Sequence, residues 1–224
     1  MHKGVGIVKS LSDKIKQNLE VIQKKVDPYR AKIIAVTKYY SKEAMIEAYK
    51  TGLRDFGESR AVEAYDKINS IEDEVKNGST YHFIGHLQTN KVKHVVGLFE
   101  YIHSVDSINL VKCLDEVSLK LGLKQKVLIQ VNNAGEEQKF GIAPFQLNSF
   151  LNEIQKFENI EVVGLMNIAP LTDDWKMIRK LFHEMFQMKE SFGLKELSMG
   201  MSRDFEIALD EGATMIRLGK IIFE

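Results

Sequence analysis

The stretch "KELSMGMSRDFEIALDEGATMIRLG", residues 195–219, decides the fold. Its first five residues and its last six read as short strands. Between them a small-residue turn leads into a helix that begins near Ser202 and runs over 202–211. Strand, helix and strand in that order imply two parallel strands joined by a right-handed crossover.

The same alternation extends outward to both ends. Apolar strand patterns recur as "KIIAVT" (32–37), "RDFG" (54–57), "YHFIG" (81–85), "EYIHSV" (100–105), "KVLIQV" (126–131) and "EVVGLM" (161–166). Helical patterns separate them at 41–50, 59–70, 88–97, 107–121, 144–156 and 173–191. With the opening stretch this makes eight strand–helix units, which predict a closed (β/α)8 TIM barrel; an open doubly wound sheet is the alternative. No linker or low-complexity stretch interrupts the pattern, so residues 1–224 read as one domain. Ahead of the repeat, Val8, Leu11, Ile15, Leu19, Ile22 and Val26 form the apolar stripe of an additional N-terminal helix that ends before Asp27-Pro28. Its lysines, Lys3, Lys9, Lys14, Lys16, Lys24 and Lys25, read as a solvated face.

Composition excludes several classes of function. The 31 basic residues balance 31 acidic ones, so no global field draws in nucleic acid or an anionic membrane, and any anion site is local. The single cysteine, Cys113, rules out an intramolecular disulfide and a cysteine-built metal site. No apolar run is long enough to span a bilayer and no signal-peptide pattern opens the chain, so a cytoplasmic protein is expected. His82 and His86 are four apart, but Gly85 and the strand pattern spoil a helical ligand pair, and no metal site is expected. "GVGIVK" and "GHLQTNK" lack the full phosphate-loop signature. Gln88, Asn90, Lys91 and Lys93 read as a solvated helix start or as part of the barrel mouth.

Barrel active sites gather at the carboxyl ends of the strands. Lys38 lies there, and alternation places Ile34, Val36 and Lys38 on one inward face. A partly desolvated lysine at such a place can attack a carbonyl and form a Schiff base, although by position alone it also reads as a snorkelling lysine. The turn after strand seven, with Ser198 and Ser202, and the turn at Gly219 after strand eight form the usual phosphate-binding loops of a barrel. Ser202 also reads as a plain helix cap, with Asp204 in the first turn. Arg217 interrupts a strand that should be buried and so needs an acceptor, either a carboxylate or a ligand. An imine-forming lysine, a phosphate cradle and an inward arginine are together the requirements of pyridoxal 5′-phosphate. An arginine cannot surrender its proton, so it leaves a pyridine nitrogen unprotonated and the ring a poorer electron sink.

"AVTKYYS", "DFGES", "YHFIGHLQTNK", "VNNAGEEQKFGI", "GLMNIAP" and "LSMGMSRDFEIALDEGATMIRLGKIIF" together resemble the pyridoxal phosphate homeostasis proteins of the YggS/PROSC type, which are similar in fold to the barrel domain of alanine racemase. The resemblance runs in order from about residue 5 to the C-terminus. It implies that Lys38 carries the cofactor as an internal aldimine, that Arg217 faces the pyridine nitrogen, and that Ser198, Ser202, Gly219 and Lys220 surround the phosphate. Ser59 and Met199 are counted with them as cofactor-binding residues. It also implies a carrier or regulator of cellular vitamin B6 with no established turnover, with pyridoxal-phosphate-dependent apoenzymes as its recipients. No catalytic residue is assigned and a monomer is expected. Three positions depart from the family pattern: Ser59 replaces an asparagine, Lys220 a small hydroxyl residue, and Gln138 a serine.

Two other readings compete. An amino-acid racemase would use the same cofactor with an opposing base, for which Tyr39 and Tyr40 are the local candidates. Only five residues follow Gly219, so no second domain is expected to bring one. A cofactor-free Schiff-base lyase on a sugar phosphate would also use a barrel lysine and a phosphate site, but it leaves Arg217 without a role.

Overall fold

The structure, a computed structural model, describes residues 10–136 and 138–224. Among these residues eight strands pair in parallel and in sequence order into a closed barrel. They are β1 Lys32–Val36, β2 Asp55–Glu58, β3 Thr80–Phe83, β4 Tyr101–Val105, β5 Gln125–Gln130, β6 Ile160–Met166, β7 Glu196–Ser198 and β8 Met215–Leu218. Every one overlaps its predicted stretch. Closure comes from β8 against β1, in a register that runs from Lys32 opposite Met215 to Ala35 opposite Leu218.

The helices outside are α1 Leu11–Val26, α2 Lys42–Lys50, α3 Ala61–Asn69, α4 Asp73–Asn77, α5 Ile108–Leu121, α6 Leu147–Ile154, α7 Trp175–Ser191, α8 Phe205–Asp210 and α9 Lys220–Phe223. The pattern over 88–97 folds as a 3₁₀ segment, Thr89–His94, and α4 and α9 were not expected. α1 is the predicted addition to the repeat. Its start is fixed by a reciprocal cap: Ser10 Oγ accepts from the Asp13 N–H at 3.1 Å and the Asp13 carboxylate accepts from the Ser10 N–H at 3.3 Å. Ile15, Leu19, Ile22 and Val26 are buried, each stabilising the packing by roughly 1.5–3 kcal/mol. Leu11, counted in the same stripe, is instead 38% exposed at the first residue of the helix. Val8, Lys3 and Lys9 lie outside the described residues.

Two layers of packing follow from the two-residue period of the strands. Ile34, Tyr101, Leu128, Met166 and Met215 meet inside the barrel. Their neighbours Ala35, Ile102, Val127, Leu165 and Ile216 face outward, into the larger core between sheet and helices. No helix among the described residues is long and apolar enough to cross a membrane. Nor do three His, Cys, Asp or Glu side chains among them group as a metal site; His86 is exposed and stacks on Phe140 at a centroid distance of 3.7 Å.

Candidate functional site

Past the end of β1 the strand's inward face continues into a cavity of about 390 Å³ at the carboxyl ends of β1 and β8, lined by Val36, Lys38, Ser202, Arg217, Gly219 and Lys220. Lys38 is half-buried in the turn between β1 and α2. Its ammonium lies 5.0 Å over the Tyr39 ring and has no carboxylate or carbonyl partner among the described residues. Tyr40 closes one side: its ring stacks on Phe223 at 4.3 Å and its hydroxyl donates to Glu224 at 3.1 Å. In a chain of zero net charge, three cations, Lys38, Arg217 and Lys220, share this cavity with one carboxylate, that of Glu224.

Arg217 faces inward because it occupies the same phase of β8 as Met215. It is 5% exposed. One N–H of Nη1 donates to Ser198 Oγ at 2.6 Å and one of Nη2 to the Asn167 carbonyl at 2.7 Å. A guanidinium has five N–H groups, so three remain without a partner among the described residues. Burial pushes its pKa down to about 10, with the Asp204 charge opposing the shift, so the group stays charged at neutral pH.

The two loops expected to cradle phosphate differ in their details. α8 starts at Phe205, not near Ser202, because residues 201–204 form a turn after Gly200. Gly200 has a φ of +88°, and a Cβ there would come within 2.5 Å of the Ala208 Cβ. In that turn Asp204, not Ser202, occupies the cap position, and its carboxylate accepts from the Met201 N–H at 2.6 Å. Burial raises the Asp204 pKa and the Arg217 charge partly opposes this. The Ser202 hydroxyl is left facing the cavity with no partner among the described residues. After β8, a Cβ on Gly219 would meet nothing nearer than the Val36 carbonyl oxygen at 3.5 Å, so the glycine leaves open a part of the cavity that a side chain would fill. Lys220, exposed, is the first residue of α9.

The structure therefore brings five of the predicted residues together: Lys38, Ser202, Arg217, Gly219 and Lys220. Three stand apart. Ser59 lines a different depression, with Arg60, His86 and Lys91. Ser198 is fully buried behind Arg217 and its hydroxyl is taken by that guanidinium and by His103. Met199, one residue on, falls on the opposite phase of the strand and packs into the sheet–helix core. Sequence reasoning also missed a supporting layer. Lys67 Nζ donates to the carbonyls of Thr37 and Tyr40 on either side of Lys38 and pairs with Glu58 at 2.5 Å.

An amine free of carboxylate partners, a guanidinium held through Ser198 and the Asn167 carbonyl, and hydroxyl and ammonium donors in the same cavity suit a small phosphorylated aldehyde that carries a hydrogen-bond acceptor. The amine can condense with the aldehyde, and the cations can offset the phosphate charge.

The family described as alanine racemase, N-terminal domain, matches residues 11–224. The pyridoxal phosphate homeostasis protein of Aquifex aeolicus (strain VF5) is 37% identical over 199 residues, which cover 86% of this chain and 86% of that protein. Two solved structures of PipY from Synechococcus elongatus PCC7942 superpose closely on 94% of this chain and 100% of theirs. The form without pyridoxal phosphate is 35% identical with a TM-score of 0.87, and the form with pyridoxal phosphate bound is 34% identical with a TM-score of 0.83.

Proposed function

We propose a function from one premise: the chain belongs to the pyridoxal phosphate homeostasis protein family. It holds pyridoxal 5′-phosphate in the cavity above β1 and β8 and takes part in maintaining the supply of that cofactor inside the cell, as a cytoplasmic carrier or regulator and not as a turnover enzyme. The observation that carries this reading is the convergence of Lys38 and Arg217 on one cavity with Gly219 and Lys220.

When bound, the cofactor supplies an aldehyde that an amine can capture with loss of water. Lys38 Nζ provides that amine from a turn fixed by Lys67. Arg217 directs its uncommitted N–H groups into the cavity, and as a permanent donor it suits an unprotonated ring nitrogen. Ser202, Lys220 and the open face of Gly219 receive the phosphate. Ser198 serves by holding Arg217, Met199 by packing the strand that bears Ser198, and Ser59 by shaping the neighbouring rim. Among the described residues neither tyrosine beside Lys38 is placed as an opposing base, since Tyr39 is 74% exposed and the Tyr40 hydroxyl donates to Glu224, the cavity's one carboxylate. This arrangement favours holding and releasing the cofactor over exchanging protons at a bound amino acid. We read the chain as a monomer, since the outer face of α1 is charged.

The covalent and the ionic parts of the site rest on different residues, and that separation can be measured. Titration with pyridoxal phosphate, followed by equilibrium dialysis, is expected to show saturable binding by the intact protein. Binding by Lys38→Ala should be weaker but still saturable, and reduced further by competing inorganic phosphate. Total loss of saturable binding in Lys38→Ala would contradict the separation.

A further inference from the structure

Inside the barrel, below the proposed cofactor site, four buried side chains and one at the opposite end form an unbroken chain of hydrogen bonds. Asp55 Oδ1 is 3.0 Å from His82 Nε2, and His82 Nδ1 is 3.0 Å from His103 Nε2. His103 Nδ1 is 2.9 Å from Ser198 Oγ, which accepts from Arg217 Nη1 at 2.6 Å. His82, His103 and Ser198 are 0% exposed, while the Asp55 side chain is 24% exposed at the first residue of β2. The chain thus runs the height of the barrel, from its amino-terminal end to the cavity. Nothing in the cofactor chemistry described above uses Asp55, His82 or His103.

The two ends dictate the direction of every bond between them. An ionised carboxylate can only accept, so His82 Nε2 carries a hydrogen. A neutral His82 then accepts at Nδ1, which makes His103 Nε2 a donor and leaves His103 Nδ1 an acceptor. The Ser198 hydroxyl hydrogen fills that acceptor, and its oxygen is free to receive the donor-only Arg217. Each group is satisfied once, with both rings neutral. The reverse order, or a doubly protonated His82, turns His103 Nδ1–H toward Ser198 and leaves the serine hydroxyl hydrogen with no acceptor among the described residues. An unmet polar group at 0% exposure is costly, so the first order prevails. Burial, with the charges of Arg217 and Lys32 adding to it, also holds the His103 pKa well below its usual value.

We propose that Asp55, His82, His103 and Ser198 are positioning residues for Arg217: a polarised relay, anchored at the amino-terminal end of the barrel, that fixes the plane of the guanidinium and so sets how tightly the cavity holds its ligand. Conservation of a barrel's amino-terminal end is usually a matter of stability. Here a residue at that end acts on the site. The proposal rests on the assignment of Arg217 to the pyridoxal phosphate site, and its test separates the two.

The first arm needs no ligand. In ¹⁵N-histidine NMR spectra of the full-length apoprotein at neutral pH, His82 and His103 should each be protonated at Nε2 and bare at Nδ1. Protonation at Nδ1 of either ring would overturn the relay. The second arm compares Asp55→Asn, which no longer imposes a direction, with Asp55→Glu, which keeps an acceptor-only group in a partly exposed position. Asp55→Asn should alter the His103 ¹⁵N shifts and weaken pyridoxal phosphate binding by about threefold or more, with Asp55→Glu recovering most of the loss. Unchanged His103 shifts and unchanged affinity in Asp55→Asn would also overturn it. A wild-type protein that shows the predicted tautomers but takes up no pyridoxal phosphate would contradict the function assigned to the cavity while leaving the relay's direction established.

Discussion

The turn that carries Lys38 is anchored from outside the cavity. Lys67, on α3, donates to the carbonyls of Thr37 at 2.8 Å and Tyr40 at 3.0 Å, and its charge is met by Glu58 at the end of β2. Glu58, whose side chain is 3% exposed, also accepts from Thr37 Oγ1 at 2.7 Å. One ion pair therefore ties β2, α3 and the turn around Lys38. Removing one partner of such a pair leaves a buried charge unmet, so Lys67→Met should cost about 3 kcal/mol of stability, read as a lowered midpoint in urea unfolding. A midpoint unchanged in Lys67→Met would show that the turn holds itself. Lys38 was legible in the sequence because an apolar strand ending in lysine breaks a simple rule of burial. Lys67 was not, because a lysine on a helix looks like any solvated charge until the fold turns it toward two carbonyls.

Among the elements, the strands were easier to read than the helices. A buried parallel strand is a short apolar run with abrupt ends, whereas helix boundaries depend on caps and turns that bring distant residues together. The segment after β7 shows why. Its helical pattern begins at Ser202, but Gly200 at a φ of +88° swings the chain so that helical geometry starts only at Phe205, with the Asp204 carboxylate turned back to the Met201 N–H. The Gly200 carbonyl also accepts from the Arg217 N–H at 3.0 Å, so this turn fixes the strand that bears the site's arginine. Gly200→Ala would combine an unfavourable φ with a Cβ 2.5 Å from that of Ala208, and is expected to destabilise the protein by about 2 kcal/mol. Calorimetry showing a melting temperature equal to that of the parent would refute this account of the turn. α9 was missed for a related reason: four residues give too short a period to read.

At the scale of the whole molecule the barrel has two interiors. Its outer core is apolar, and its inner channel joins a small apolar cluster to a polar file that runs from Asp55 to Arg217. The file was half visible in the sequence: His82, His103, Ser198 and Arg217 each interrupt a strand that should be apolar. Only closure of the sheet shows that these interruptions face one another. The charged groups of the cavity gather in the same way: Lys38 from the turn after β1, and Arg217, Lys220 and Glu224 from β8, α9 and the residue that follows it, far away in the chain. The central claim is that this convergence makes Lys38 the attachment point for pyridoxal phosphate. It is tested most directly by the visible absorption spectrum of the protein incubated with pyridoxal phosphate, before and after borohydride, with mass spectrometry of the peptide containing residue 38. The account predicts an absorption band that disappears on reduction and the mass of reduced pyridoxal phosphate on Lys38 alone. A protein that stays colourless, or one modified at a different lysine, would contradict it.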